Sequence, residues 1–154
     1  MSEATTSVDR PEAPAAAWPR HGMIKLINRL RVEMIDALDR KLDTYGISAP
    51  QLIVLSSLAS GEARSAAALC KSISYDPGAM TRMIDRLEQR GLIRRVRDTG
   101  DRRLTNLQMT DEGKSLYPRL LQAKDEVQAQ FLRGFSKEEV QMLEGLLDRM
   151  VANR

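Results

Sequence analysis

The stretch Asp76-Pro-Gly-Ala-Met-Thr-Arg-Met-Ile-Asp-Arg-Leu-Glu-Gln-Arg-Gly91 predicts one amphipathic helix. Asp76 suits the position that caps the free amides of the first turn, and the proline after it suits the first helical residue. Gly91 is the expected stop. The buried face consists of four residues at helical spacing: Met80, Met83, Ile84 and Leu87. Thr81, Arg82 and Arg86 therefore point outward.

A β-hairpin is predicted directly after this helix. Leu92–Val96 and Leu104–Met109 are rich in β-formers, and they read as two strands. The connection Arg97–Arg103 contains Gly100, which supplies the flexible turn position. The hairpin tip is therefore thin and rich in arginine, a shape that suits a narrow minor groove of DNA.

Further helices are predicted on both sides. Apolar residues recur every three or four positions over 21–45, and a capping box at Ser48–Gln51 opens a short helix that ends at Ser60. Ser65 caps a third helix over 66–72. Thr110 caps a long helix over 111–133, and a second capping box, Ser136–Glu139, opens the last one. This order predicts a mainly α fold, a winged helix-turn-helix with a two-stranded β wing and flanking helices.

Positive charge is concentrated in this central segment. The chain has a formal net charge of +3, yet residues 74–103 hold eight arginines, no lysine and five acidic residues. Such a distribution is typical of a surface that binds a polyanion. For the charge pattern alone, an ordinary solvated face is an equally good interpretation.

Composition argues against several other classes of protein. No apolar run approaches the roughly 18 residues of a membrane helix, so no membrane partner is expected. The single cysteine, Cys70, suits a reducing cytoplasm, and the single histidine, His21, leaves no cluster for a metal. Neither a nucleophile elbow nor a phosphate-binding glycine loop occurs, so we expect no enzyme and no cofactor. A winged helix that contacts another protein remains an alternative to DNA binding.

Residues 65–113 resemble the DNA-binding lobe of the MarR family of bacterial regulators. The matching stretches are Gly78–Arg95, Asp101-Arg-Arg103 and Leu107-Gln-Met-Thr-Asp-Glu-Gly113. The flanking helices fit the same family, so the resemblance extends over about residues 20 to 152. It implies a cytoplasmic transcription regulator that binds double-stranded DNA.

The resemblance also implies which residues contact DNA. Arg103 matches the wing arginine that enters the minor groove, and Asp101 matches the acid that orients it. The recognition helix would lie in the major groove. The complete predicted set is Ser74, Tyr75, Gly78, Ala79, Thr81, Arg82, Arg86, Arg97, Asp101, Arg102 and Arg103.

The family resemblance implies a homodimer that binds a pseudo-palindromic operator. Residues 47–110 would be the winged DNA-binding domain, 20–46 and 111–154 the helical dimerisation region, and 1–19 a disordered tail. Repression is the expected direction, because a dimer over a promoter blocks polymerase. A small aromatic carboxylate or phenolic effector would release the DNA. Trp18, Arg20, His21 and Asn28 are the candidate effector residues, although Trp18 packing the tail against the body is an equal alternative.

Overall fold

The computed structural model describes residues 22–73, 75–97 and 105–153. Within these residues the chain forms α1 (Met23–Leu42), α2 (Ala49–Ser60), α3 (Ala66–Ile73), α4 (Pro77–Gln89), β1 (Ile93–Arg97), β2 (Thr105–Met109), α5 (Asp111–Phe131) and α6 (Lys137–Ala152). This arrangement confirms the predicted winged helix-turn-helix order. The predicted disordered tail, residues 1–19, lies outside the described residues.

Side-chain caps begin the helices where the sequence predicts them. Asp76 accepts a hydrogen bond from the Ala79 amide at 2.9 Å at the start of α4. Ser48 and Gln51 form a reciprocal capping box at the start of α2, and Ser136 and Glu139 form another at α6. Each cap satisfies amides that have no partner inside the helix, so it fixes the helix start locally.

The end of the first helix differs from its predicted form. The α-helix stops at Leu42, and Asp43–Tyr45 continue as one 3₁₀ turn. Gly46 then adopts φ +60°, the left-handed conformation that glycine takes at little cost. Its amide donates to the Asp43 carbonyl at 2.8 Å, which closes the tighter turn. The predicted stop at Gly46 is therefore confirmed.

The wing is a two-stranded antiparallel sheet in which Ile93 pairs with Met109 and Arg97 pairs with Thr105. The predicted first strand, 92–96, is displaced by one residue. The Leu92 amide donates to the Leu87 carbonyl at 3.0 Å, so Leu92 belongs to the turn that follows α4. The second strand is described over Thr105–Met109, and its predicted first residue, Leu104, lies outside the described residues.

One hydrophobic core joins the helices of the winged lobe to the sheet. Leu55, Leu69, Ile84 and Ile93 are all buried in it. Helix α5 approaches the wing so closely at Gly113 that an added Cβ would stand 2.1 Å from the Leu92 carbonyl oxygen. The glycine therefore permits the close contact between α5 and the turn before β1.

The outer helices leave large apolar side chains exposed. In α1, Ile24 is 81% exposed, and in α6, Met142 is 67% exposed. No residue of α6 is buried within the chain. The first half of α1, residues 23–33, and α6 therefore lack a partner for their apolar side chains within the described part of a single chain, whereas Leu38 and Leu42 at the other end of α1 pack in the core. None of the helices described is both long and apolar enough to cross a membrane.

Candidate DNA interface

Helix α4 turns one face to the core and the other to solvent. Met80, Ile84 and Leu87 are buried, whereas Thr81, Arg82 and Arg86 are exposed. Buried and exposed residues follow each other with the helical period along the sequence, because residues three or four apart lie on the same side of a helix. The structure therefore places three of the predicted DNA-contacting side chains on one accessible surface.

The leading end of α4 is narrow. Gly78 is exposed and Ala79 is half-buried, so this end presents little side-chain bulk. The Thr81 hydroxyl donates to the Pro77 carbonyl at 2.9 Å, within its own helix. A helix with small residues at its N-terminal end allows the backbone to approach a groove closely.

Three exposed arginines near this surface have no acidic partner in the part of the chain that the structure describes. Among the described residues, Arg82, Arg86 and Arg97 form no ion pair. A guanidinium carries five N–H donors in a planar fork that matches phosphate and guanine acceptors. These three side chains are therefore available to an anionic ligand.

Arg95 plays a different part, which the sequence reading missed. Its guanidinium donates to Asp85 Oδ1 at 2.5 Å and to the Glu88 carboxylate, and its amide donates to Glu88 Oε1 at 3.1 Å. The hydrogen bond that Arg95 donates to Asp85 is the main cause of an Arg95 pKa above its ordinary value. We call these three residues the Arg95 cluster. It joins β1 to α4 and neutralises two acids on the recognition helix.

Arg90 joins the end of α4 to the end of the first helical segment. Its guanidinium donates to the Tyr45 carbonyl at 2.8 Å and also to the Gly46 carbonyl. Arg119 lies over the Tyr45 ring, 5.1 Å from its centroid. The recognition helix is therefore fixed at its C-terminal end to the segment between α1 and α2.

Hydrogen bonds thus divide the arginines into two groups. Arg90 and Arg95 bind the protein itself, and Arg94 donates to Gln108 Oε1 at 3.1 Å. A sequence signal existed only for the Arg95 cluster: Asp85 and Glu88, three residues apart, share one helix face. Arg90 binds backbone carbonyls. Every residue carries one, so the sequence could not indicate this contact.

The other predicted DNA-contacting residues fall into two sets. Tyr75 is half-buried against the core, and its amide donates to the Cys70 carbonyl at 3.2 Å, so it helps close the turn between α3 and α4. Its ring is therefore only partly accessible. The remaining predicted contacts lie outside the described residues: Ser74, Asp101, Arg102 and Arg103.

A cleft of about 760 Å³ lies beside the recognition helix. Asp39 and Asp43 of the first helical segment line one side, and Arg82, Arg86 and Arg90 line the other. Four apolar side chains also line it, Ile47, Pro50, Ala79 and Met83, and Gly46, Ser48, Gln51 and Gln89 complete the lining. We call this space the α1–α4 cleft. It brings together two of the unpaired arginines and an apolar surface.

The predicted effector residues are only partly described. Asn28 lies on the exposed surface of α1, where its Oδ1 accepts from Arg31 Nη2 at 3.2 Å. It is not among the residues that line the α1–α4 cleft. Trp18, Arg20 and His21 lie outside the described residues. Within the described ranges, no three His, Cys, Asp or Glu side chains form a group that could hold a metal ion.

Known proteins are similar to this chain in sequence. The MarR family model matches residues 47–105. The chain is 31% identical to the HTH-type transcriptional repressor MdtR of Bacillus subtilis (strain 168), over 75% of this chain and 72% of that protein. It is 33% identical to the HTH-type transcriptional regulator PecS of Dickeya dadantii (strain 3937), over 83% of this chain and 79% of that protein.

A solved structure shows the same arrangement. An E. coli MarR cysteine-to-serine mutant complexed with operator DNA superposes with a TM-score of 0.73 and 28% sequence identity. The alignment covers 82% of this chain and 91% of that one.

The fold and its arginine-bearing face define a winged helix-turn-helix protein of the DNA-binding, transcription-regulating class. The chain belongs to the MarR family of transcriptional regulators.

Proposed function

We propose that this chain is a homodimeric repressor that binds a pseudo-palindromic operator. The observation that carries the proposal is the exposed face of α4, where Arg82 and Arg86 have no ion-pair partner among the described residues. Asp85 and Glu88 of the same helix are neutralised by Arg95. The E. coli MarR mutant that superposes on this chain is bound to operator DNA, which supports the same use of the face.

The proposed DNA contacts come from two elements, helix α4 and the wing. The start of α4 and its exposed face would contact the major groove, and the arginine-rich wing would contact the minor groove. In the wing, Asp101 would orient Arg103, and Arg97 at the end of β1 would contact the backbone. The proposed set is Ser74, Tyr75, Gly78, Ala79, Thr81, Arg82, Arg86, Arg97, Asp101, Arg102 and Arg103.

Dimerisation follows from the uncovered apolar faces. Residues 20–46 and 111–154 would form the dimerisation region around residues 47–110, the DNA-binding domain. Ile24 of α1 and Leu146 of α6 are 81% and 48% exposed in the single chain. Contact with a second copy would remove this surface from water. A two-fold axis would then place the two recognition helices about 34–36 Å apart, one turn of DNA.

Salt dependence tests DNA binding directly. Gel shifts with the intergenic DNA beside the gene are measured at several salt concentrations. Each arginine–phosphate contact contributes a slope of about −0.9 to log affinity against log salt. We expect Arg82→Ala or Arg86→Ala to weaken binding, and Arg103→Ala to weaken it by about 1–3 kcal/mol. Arg133→Ala is the matched control, because it removes an exposed cation just after the end of α5. Binding unaffected by all three substitutions contradicts the proposal.

We also propose a small aromatic carboxylate or phenolic acid as the releasing effector. The α1–α4 cleft supports this class, because Arg82 and Arg86 face an apolar lining there. An acid held by these arginines would compete with DNA for the same guanidinium groups. Release requires that the effector bind the DNA-free form more tightly than the bound form. Trp18, Arg20, His21 and Asn28 remain candidate contacts at the entry to α1.

Titration calorimetry with substituted benzoates tests the effector. We expect binding to the free protein, and the same acids should release DNA in the gel shift. Trp18→Ala and His21→Ala test the first candidate site, and Met83→Ala, which removes apolar lining only, tests the α1–α4 cleft. Binding that is unaltered in all three variants contradicts both locations.

A further inference from the structure

Helix α4 is attached to the rest of the chain in two places of different kind. Its body packs against α3 and β1, inside the winged lobe. At its C-terminal end, Arg90 donates hydrogen bonds to the carbonyls of Tyr45 and Gly46, which follow α1. Because α1 belongs to the proposed dimerisation region, this second contact joins the recognition helix to the part of the chain that would set the geometry of the dimer.

The backbone of Arg90 is held at the end of the helix. Its amide donates to the Arg86 carbonyl at 3.1 Å, and the Gly91 amide donates to the Glu88 carbonyl at 2.8 Å. Gly91 adopts φ +69°, the left-handed conformation that commonly ends a helix. The Arg90 side chain therefore leaves α4 from a fixed point.

The acceptors of Arg90 lie at the end of the 3₁₀ turn Asp43–Tyr45. The last carbonyls of a helix lack partners within it and carry partial negative charge, so a guanidinium is a favourable partner for them. Nη2 of Arg90 donates to the Tyr45 carbonyl at 2.8 Å, and Nη1 donates to the Gly46 carbonyl. A Cβ at Gly46 would stand 3.2 Å from Nη1, so glycine leaves room for the guanidinium. Two bonds from one planar group fix its orientation as well as its distance.

The accepting segment is itself fixed to α5. The Tyr45 ring packs against the hydrophobic core, and Arg119 of α5 lies over it, 5.1 Å from the centroid. Lys41 Nζ, near the end of α1, is 2.5 Å from the carboxylate of Glu126 in α5. Helices α1 and α5 also pack along each other. Continuous contacts therefore run from the end of α4, through Arg90, to two helices of the proposed dimerisation region.

A contact at this end of α4 controls the position of the opposite end. An α-helix rises about 1.5 Å per residue, so Gly78 lies about 18 Å from Arg90 along the helix axis. A tilt of about 10° around the C-terminal end would therefore move Gly78 by about 3 Å. One base-pair step of DNA is about 3.4 Å long. A small change in tilt is thus equivalent to a shift of nearly one base pair at the groove.

We propose that Arg90 is a positioning residue that sets the spacing of the two operator half-sites. This inference rests on the proposed homodimer, in which a two-fold axis relates the two recognition helices and half-site spacing follows from their separation. Arg90 itself stays off the DNA and holds each α4 at one angle to the dimerisation region. Without Arg90, α4 keeps its core contacts, but its angle is less restricted, and the dimer accepts half-sites at more than one separation.

Gel shifts with operators of altered spacing test this role. Footprinting of the wild type on the intergenic DNA locates the half-sites, and one base pair is then inserted or removed between them. We expect each change to cost the wild type about tenfold in affinity, and Arg90→Met less than about threefold. Methionine keeps a long unbranched side chain but has no donors. Arg86→Ala should bind all three operators more weakly and keep the tenfold preference, and Arg133→Ala should match the wild type.

Distances between spin labels test the position of α4 without DNA. Thr81→Cys places one nitroxide label on the exposed face of α4 in each copy, in a Cys70→Ser background. Pulsed electron paramagnetic resonance then measures the separation of the two recognition helices. We expect a narrow distribution with Arg90 present, and a distribution that is broadened or shifted by about 3 Å or more in Arg90→Met. Circular dichroism verifies that each variant folds.

Several results would overturn the role of Arg90. One is a weaker Arg90→Met that keeps the wild-type preference for spacing. If its salt slope also falls by about 0.9, Arg90 is a phosphate contact; if not, it only stabilises the fold. The others are a label distance unchanged by Arg90→Met and a wild type that binds all three operators equally.

The same measurements keep this inference apart from the proposed function. A wild type that fails to bind the intergenic DNA, or that binds it as a monomer, contradicts the proposed function and the role of Arg90 with it. Dimeric wild-type binding at one preferred spacing, together with an unchanged preference in Arg90→Met, contradicts the role of Arg90 alone.

Discussion

Large apolar residues are buried in the winged lobe but exposed in the terminal helices, α1 and α6. Leu69 and Leu87 of the lobe are fully buried within one chain, whereas Ile24 and Met142 of the terminal helices are mostly exposed. Monomeric proteins rarely leave such contiguous apolar surface in water. The contrast teaches that the lobe derives its stability from its own core, while the first half of α1 and all of α6 leave apolar side chains uncovered in the described part of the chain, which is the surface assigned above to the proposed dimer.

Substitution of one leucine in each region tests this contrast, and the leucine of the lobe is expected to give the largest change in unfolding free energy. Leu87→Ala removes a side chain that is fully buried in the lobe, and we expect a loss of about 2–5 kcal/mol in unfolding free energy. Leu146→Ala changes a side chain that is 48% exposed in α6. At protein concentrations low enough to dissociate the dimer, its effect should stay within about 0.5 kcal/mol. Urea denaturation at several concentrations measures both, and equal losses would remove the distinction.

A charge on the terminal helices sharpens the comparison. Leu147→Asp in α6 should raise the dimer dissociation constant about thirtyfold or more, the equivalent of a 2 kcal/mol interface residue. Analytical ultracentrifugation measures the constant. Glu144→Asp, which keeps the charge of the same helix, is the control. A dimer that is unchanged by Leu147→Asp would show that α6 does not contribute to the interface.

The junction between the two regions should respond less strongly. Gly113→Ala places a methyl group at the Leu92 carbonyl, so α5 has to move away from the turn before β1. We expect a loss of about 1–3 kcal/mol from overpacking. Gly145→Ala, in an open part of α6, is the matched substitution and should be neutral or slightly stabilising. Thermal unfolding of both variants distinguishes crowding from a general effect of alanine.

The smallest effect concerns an ion pair between the terminal helices. The hydrogen bond from Lys41, at 2.5 Å, lowers the pKa of Glu126 below its ordinary value. The resulting stability is therefore present above the unfolded pKa of about 4.3 and is lost as pH falls through the folded pKa. Glu126→Gln should make the acid side of the stability profile slightly shallower. Exposed Glu144→Gln serves as the control, and identical profiles would contradict the assignment.

Local signals explain why the fold was predictable. Asp76, Ser48 and Ser136 cap helices through contacts within four residues, and Gly46 ends the first segment with a positive φ. Such contacts depend only on neighbouring residue types. The first strand differed by one residue because the Leu92 amide bonds back to Leu87, a choice between turn and strand that alternation alone does not decide.

The sequence did not predict which arginines bind the protein itself and which are left without an ion-pair partner among the described residues. Arg86 on α4 and Arg90 directly after it are both exposed, but Arg90 bonds to carbonyls more than 40 residues away in the chain. Such partners come from tertiary packing, which a sequence pattern of one helix does not contain. The α1–α4 cleft was hidden for the same reason, because its walls come from distant segments. The exposed face of α4, which carries Thr81, Arg82 and Arg86, was predictable from the helical period alone.

The two attachments of the recognition helix differ in chemistry. The Arg95 cluster is a set of partly exposed ion pairs, which added salt screens. The bonds from Arg90 end on the Tyr45 and Gly46 carbonyls, which carry no proton to gain and no charge to screen. We therefore expect rising ionic strength to weaken the contact between α4 and β1 first, while the hydrogen bonds of Arg90 to the segment before α2 persist.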